Sequence, residues 1–351
     1  MSIPTEQLDR FRKALDESTK PLFFFDGDAD GLTSYALLYK YKGDGKGVMI
    51  SGRPRLSEDF TRKYEEYQPD AVFILDLAQI TQEFIDNIPA PIHWLDHHDP
   101  DHGLHLPKRM THYNPRLHDP EDGRPTAYWA YQVTKQDLWV AMAGIVGDYH
   151  YDKDLASQLR KEHPGLLPEG IDHQGEALFD SPLGTIIRVL NFNLKGPVRT
   201  CMTAAKIVTR IGNPDEILHQ TSPKGKYLYK RYERVMKAYK PLYEQAAAAV
   251  KEDEEVLVFI YSHDQYSLSG ELANELKYRN MDKAIIVGRR HDGKVIMSLR
   301  SEHKEILGPL KKALADVEGY GGGHPKACGA VVDENSFEMF KETFKHEYEN
   351  Q

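Results

Sequence analysis

An α/β fold follows from three features of the 351-residue sequence: apolar runs alternating with amphipathic stretches in the first half, a polar helical middle, and fresh strand signals from about residue 255. Together they predict a parallel-sheet domain covered by helices over 1–185, a helical connector over 186–252, and a smaller α/β domain with a mixed sheet over 253–351. Leu8, Phe11 and Leu15 have the spacing of an opening amphipathic helix, after which PLFFF (21–25) reads as a buried strand and LTSYALLYKY as the next helix. GVMIS, AVFIL (71–75) and PIHWL (91–95) are further strands, separated by the helical patterns LSEDFTRKYEEY and ITQEFIDNI. Such βαβ alternation places the strands parallel. From about 151 to 250 turn signals (HPGLLPEG, NLKGP, GNP) break a helical pattern, and KGKYLYKRYERVMKAYKPLYEQAAAAV reads as one long helix with a kink or break at Pro241. EVLVFIYS, AIIVGRR, KVIMSLR and CGAVV supply the later strands, with HDGK as a hairpin turn, helices at SGELANELKYR and Ile306–Leu314, and a glycine-rich turn before the last strand. No 20–50-residue period recurs, which excludes a solenoid.

Composition narrows the function. Forty-five Lys and Arg against 54 Asp and Glu give a net charge of −9, which disfavours tight binding of long nucleic acid by phosphate neutralisation alone. The two cysteines, Cys201 and Cys328, are too few and too far apart for a disulfide framework or a thiolate zinc module. With no apolar leader and no spanning-length apolar run, the expectation is a cytoplasmic protein without a membrane partner.

Four acidic clusters follow apolar strands or close a helix: Asp26, Asp28 and Asp30 in FFFDGDADG, Asp76 in FILDLA, Asp96 with His97 and His98 in HWLDHHDP, and Asp148 in AGIVGDYH. Ligands of open parallel sheets bind beyond the carboxyl ends of the strands, so these side chains can converge. Crowded carboxylates repel unless cations compensate. A metal site is therefore the economical reading, and carboxylates with imidazoles suit Mn²⁺ or Mg²⁺. DxDxDG also has the look of a calcium loop, but the required Glu is replaced by Leu37. Two ions roughly 3.5–4 Å apart would suit phosphoester hydrolysis. In the second half, SLRS (Ser298, Arg300) ends a strand and GYGGGHPKACGA is glycine-dense; its backbone amides, with Arg300 and His324, could hold phosphate.

In this order, DADG, Asp76, the literal DHH at 96–98 and Asp148 resemble the four motifs of the DHH phosphoesterase superfamily, while SLRS and GGGHPKACGA resemble its C-terminal substrate-binding domain. The resemblance covers about residues 20–335 and implies metal ligation by Asp26, Asp28, Asp30, Asp76, His97 and Asp148, with Asp76 bridging. It implies that Asp96 orients an imidazole and that His98 lies near the scissile phosphate as donor or proton source, making these two the catalytic candidates. Ser298, Arg300, Gly321, Gly322, Gly323 and His324 would bind substrate phosphate across the cleft between the domains. Phe24 stands where the small nano-RNases of the family carry a histidine, and Asp26 gives the DxDxDG form typical of RecJ-like exonucleases, although the chain has no room for their added oligonucleotide-binding fold.

The expected activity is that of a Mn²⁺-dependent phosphodiesterase, with two ions and Mg²⁺ as an alternative, which cuts short or single-stranded RNA or DNA to mononucleotides by two-metal water attack. The alternative is a small-molecule enzyme for 3′-phosphoadenosine 5′-phosphate, cyclic dinucleotides or polyphosphate; a non-catalytic nucleic-acid-binding protein is the third reading. A homodimer is compatible with all three. Basic residues interleaved with tyrosines over 224–240 could form a single-strand track or a solvated helix with packed tyrosines, the latter being favoured. Arg53, Arg55, Lys108 and Arg109 read as surface charge.

Overall fold

The computed structural model describes residues 2–51, 55–262 and 265–351, so Arg53 lies outside the described residues. The chain divides into two compact units, Met1–Tyr232 and Glu233–Gln351. In the first, the strands are β1 (Pro21–Asp26), β2 (Lys46–Ile50), β3 (Arg55–Leu56), β4 (Ala71–Leu75), β5 (Gln79–Ile80), β6 (Ile92–Leu95) and β7 (Met110–Tyr113). Five of them form an all-parallel sheet in the order β2-β1-β4-β6-β7, and β3 pairs with β5 separately.

The apolar runs are buried on both faces, as a helix-covered parallel sheet requires. Because alternate residues point to opposite faces, Phe23, Phe25, Phe73 and Leu75 enter one core and Leu22, Phe24, Val72 and Ile74 the other. Phe84 and Ile85 of the helix Gln82–Asn87 join the second core. The first core is far larger and takes in the opening helix through Leu8, Phe11 and Leu15. It also holds two helices buried nearly all round, Ala29–Lys42 and Leu138–Gly147. These two pack so closely that a Cβ on Gly144 would come within 2.1 Å of Thr33 Oγ1.

The second unit has β8 (Val256–Ser262), β9 (Ala284–His291), β10 (Lys294–Arg300), β11 (Gly319–His324) and β12 (Ala327–Asp333). Their order is β11-β12-β10-β9-β8; β8 and β9 are parallel and the other pairs antiparallel, giving the expected mixed sheet. The HDGK turn joins β9 to β10 with Asp292 and Gly293 both at positive φ, 50° and 70°, the geometry of a tight hairpin. The glycine run, expected as a turn, is instead the edge strand β11: the β12 ladder supplies order that its own propensity does not. Val295, Met297 and Leu299 pack with Phe340, Phe344 and Tyr348 of a closing helix, Phe337–Glu349.

The long helix Pro223–Ala248 runs continuously with Pro241 inside it. Most of its tyrosines and Arg231 are committed to structure, while Lys226, Lys230, Arg234, Lys237 and Lys240 are exposed. Tyr229 and Tyr232 pack on the larger core, the Arg231 guanidinium donates to Asn193 Oδ1 at 3.1 Å, and the Tyr239 hydroxyl to Glu275 Oε2 at 2.5 Å. That is the packed-tyrosine reading of this segment. No described helix is long and apolar enough to cross a membrane.

Candidate metal centre

Parallel register lines up the strand ends. Phe25 pairs with Leu75, Leu75 with Leu95 and Leu95 with Tyr113, so Asp26, Asp76, Asp96 and Asn114 stand side by side at the carboxyl edge of the sheet. Asp28 caps the helix Ala29–Lys42, its Oδ1 accepting from the Gly31 amide at 2.9 Å. Gly31 is demanded here: a Cβ would lie 2.5 Å from the Asp26 carbonyl oxygen. Asp148 closes the buried helix Leu138–Gly147, and the tight approach at Gly144 brings that helix end beside Asp30.

The result is a convergence of groups far apart in sequence. Ligand atoms of Asp26, Asp28 and Asp76 lie within 4.8 Å of one another; so do those of Asp30, His97 and Asp148, and those of Asp76, His97 and His98. His97 Nε2 is 3.5 Å from Asp76 Oδ1, 3.6 Å from Asp148 Oδ2 and 3.9 Å from Asp30 Oδ2. Asp76 thus belongs to two of the three groups and His97 to two. Asp76 also sits at φ 58°, a left-handed conformation that turns the chain sharply after β4.

Electrostatics make these carboxylates poor anions by themselves. Burial first, and then the Asp28 charge, raise Asp26 to about 8. Burial with the Asp76 charge pushes Asp30 well above the usual carboxylate range, and burial with the Asp28 charge does the same to Asp76. Burial likewise lifts Asp148 to about 7, against the pull of His97. Among the described residues, no Lys or Arg forms an ion pair with any of the five motif carboxylates Asp26, Asp28, Asp30, Asp76 and Asp148. A donor set of carboxylate oxygens and imidazole nitrogens, lacking thiolate and short of positive charge, fits hard divalent cations such as Mn²⁺ or Mg²⁺.

Asp96 behaves differently. It is buried, which raises its affinity for protons, yet the His98 hydrogen bond and the nearby histidines hold it below the usual range. Its Oδ1 lies 2.8 Å from His98 Nδ1, and its Oδ2 accepts the His98 amide at 3.1 Å. Although burial works against the charged imidazole, the Asp96 bond and the charges of Asp96, Asp76 and Asp148 raise His98 to about 10.

Sequence reasoning missed the scaffold around these groups. Backbone amides of Thr126 and Ala127, at the start of a helix, donate to the two oxygens of Asp30 at 2.8 and 2.6 Å. Thr126 Oγ1 reaches Asp76 Oδ1 at 3.2 Å. Asn114 Nδ2 donates to the His98 carbonyl at 2.9 Å, and Arg116 Nε to the His97 carbonyl at 3.0 Å, which pins the histidine loop. The signals were present as Pro-Thr at a helix start and as Asn-Pro-Arg after a strand.

In the second unit, register pairs Ser298 with Gly329 and Gly329 with Gly322; Arg300 pairs with Ala327 and Ala327 with His324. Ser298, Arg300, Gly322 and His324 therefore share one face, while Gly321 and Gly323 alternate to the other. Arg300 is oriented by Asn274 Oδ1 at 2.7 Å and by the Cys328 carbonyl at 3.2 Å.

Residues 246–350 match the family described as the DHHA1 domain, and none of the curated proteins matches the sequence. Among solved structures, RecJ in complex with Mn²⁺ from Thermus thermophilus aligns with a TM-score of 0.71 at 15% identity, covering 100% of this chain and 56% of that one. The chain thus spans little more than half of that protein. An exonuclease RecJ bound to manganese gives 0.62 at 15% identity, covering 100% of this chain and 96% of the other. The pGpG-specific phosphodiesterase PggH from Vibrio cholerae gives 0.50 at 15% identity, with coverages of 95% and 99%. Residues 246–350 thus match the DHHA1 domain, and the chain as a whole shares the fold of the RecJ structures.

Proposed function

We propose that the protein is a Mn²⁺-dependent phosphodiesterase of the RecJ-like kind, which releases mononucleotides from short or single-stranded RNA or DNA. The observation that carries this reading is the meeting of Asp26, Asp28, Asp30, Asp76, His97, His98 and Asp148 from four separated segments within ligand distance. Asp26, Asp28, Asp30, Asp76, His97 and Asp148 would hold the cations, with Asp76 shared between groups. When bound, a divalent pair lowers the pKa of water and neutralises charge on a phosphoryl group.

The chain's own residues do the rest. Asp96 fixes the His98 ring through Nδ1 and favours its protonated form, which leaves the imidazole able to donate to a phosphate oxygen or a departing alkoxide. Thr126 and the amides at its helix start keep Asp76 and Asp30 in place, so the carboxylates need not reorganise when charge develops. Ser298, Arg300, Gly322 and His324, with the amides around Gly321 and Gly323, are the proposed phosphate contacts of the second unit.

A second reading, hydrolysis of a dinucleotide or other small phosphorylated nucleotide, is favoured by the likeness to PggH over nearly its whole length. End-labelled RNA and DNA of two to twenty nucleotides, blocked at either end and incubated with Mn²⁺, test both. Mononucleotide release across lengths supports the first reading, turnover confined to dinucleotides the second. No release from any of them would sink the proposal.

A further inference from the structure

The first unit contains a cavity of about 540 Å³ beside the edge strand β2, bounded by the helix Ala29–Lys42 and the helix Val198–Val208. Its walls include Tyr39 and Tyr67, and four cations reach it: Lys46, Lys63, Lys206 and Arg210. Among the described residues no carboxylate lines it, in a chain whose net charge is −9. Lys63 shares Glu66 at 3.3 Å, whereas among the described residues Lys46, Lys206 and Arg210 form no ion pair. Lys46 instead lies 5.2 Å from the centre of the Tyr67 ring. Met202 and the buried Met49 add soft apolar surface to the lining.

This combination defines a ligand chemistry. Flat aromatic and thioether surface accepts a heterocyclic base, unpaired cations accept a phosphate, and the absence of carboxylates disfavours amines and metal ions. The volume falls in the usual range of roughly 300–1,000 Å³ for small-molecule sites. Its Lys46 end lies away from the acidic cluster, since Lys46 pairs with Leu22, four residues before Asp26 on β1, about 13 Å along the strand, while its Met49 wall pairs with Phe25 next to Asp26.

We propose that this cavity is a nucleotide-binding site, the base lying against Tyr39 and Tyr67 and the phosphate held by Lys206, Arg210 and Lys46. The nucleotide is either a free monophosphate or one residue of a longer strand. Neither source requires the metal centre to work, so the inference stands apart from the proposed hydrolysis.

Calorimetric titration of the full chain in chelator, where metal-dependent turnover is off, tests it with adenosine monophosphate, adenosine, inorganic phosphate and a ten-nucleotide single strand. The expected result is binding of the monophosphate more tightly than of adenosine or phosphate alone. That affinity should fall at least tenfold in Lys206→Glu and Arg210→Glu and in the cavity-filling Met202→Trp, and persist in Asp76→Asn. Lys206 and Arg210 are exposed, and an unchanged thermal melt of each variant separates lost binding from lost folding. A strand that binds more tightly than the monophosphate and is weakened by the same variants identifies the strand as the source; the reverse order identifies the free nucleotide. Absence of binding by both, or binding indifferent to the three cavity variants, overturns the proposal.

Discussion

The two ends of strand β4 carry the same residue type under opposite conditions. Asp70 precedes the strand at its amino end, and Asp76 follows it at the carboxyl end. Asp70 is solvated and saturated with donors: Ser18 Oγ at 2.5 Å, the Thr19 amide at 2.5 Å and hydroxyl at 2.7 Å, and the Lys20 amide at 3.0 Å. What burial it has pushes it up, but these hydrogen bonds win and bring it down to about 2. Asp76 is 2% exposed and faces other carboxylates, so burial and like charge drive it the other way. One end of the strand fastens the fold through an anion at peace with its surroundings. The other gathers anions that only cations can reconcile, which is what separates a structural carboxylate from one held ready for a ligand.

The largest expected effect comes from the carboxyl end. Asp76→Ala should lower Mn²⁺-supported hydrolysis by roughly 10³-fold or more, because one group serves two ligand clusters. The same change should leave the metal-free melting temperature unchanged or higher, since it removes a buried carboxyl crowded by other carboxylates; a matching loss of stability would make Asp76 a structural residue like Asp70. Asp96→Asn should cost about 10–100-fold, the range for a partner that orients an imidazole, and should move the pH–rate profile. Unaltered pH dependence would remove Asp96 from that role.

The two kinds of carboxylate also predict opposite pH responses. Asp26 at about 8 and Asp148 at about 7 bind protons more tightly in the folded, metal-free chain than the unfolded chain does near pH 4. Stability in chelator should therefore fall as pH rises from about 4 to 8, and Mn²⁺ should restore it. Asp70 has the reverse sign: its stabilisation is present above the unfolded pKa and is lost as pH falls from about 4 toward 2. Urea denaturation at several pH values, with and without Mn²⁺, checks both limbs. The smallest effect is that of Asp70→Ala, about 1 kcal/mol of stability with hydrolysis retained, for a solvated group whose bonds water can partly replace.

The sequence made the sheet legible where strands are buried on both faces, because PLFFF and AVFIL leave no alternative pattern. It also pointed to the acidic cluster, because Asp26, Asp76 and Asp96 follow strands whose parallel order brings their ends together, with Asp28, Asp30 and Asp148 at helix ends beside them. β7 was missed for a physical reason: MTHY is short and half polar, and it becomes a strand only because β6 offers a free edge. GYGGGH reads as a turn because glycine has no strand preference; its order comes from β12. Asn114, Arg116 and Thr126 meet their partners only in three dimensions, so Asn-Pro-Arg and Pro-Thr mark a strand exit and a helix start without marking what those side chains hold.

Equilibrium Mn²⁺ titration of the full chain beside Asp76→Asn addresses the acidic centre most directly. Two ions bound per chain are expected, with the loss of at least one in the variant and the fold retained. Binding of no Mn²⁺ by the unaltered chain, or equal binding by both proteins, would contradict it.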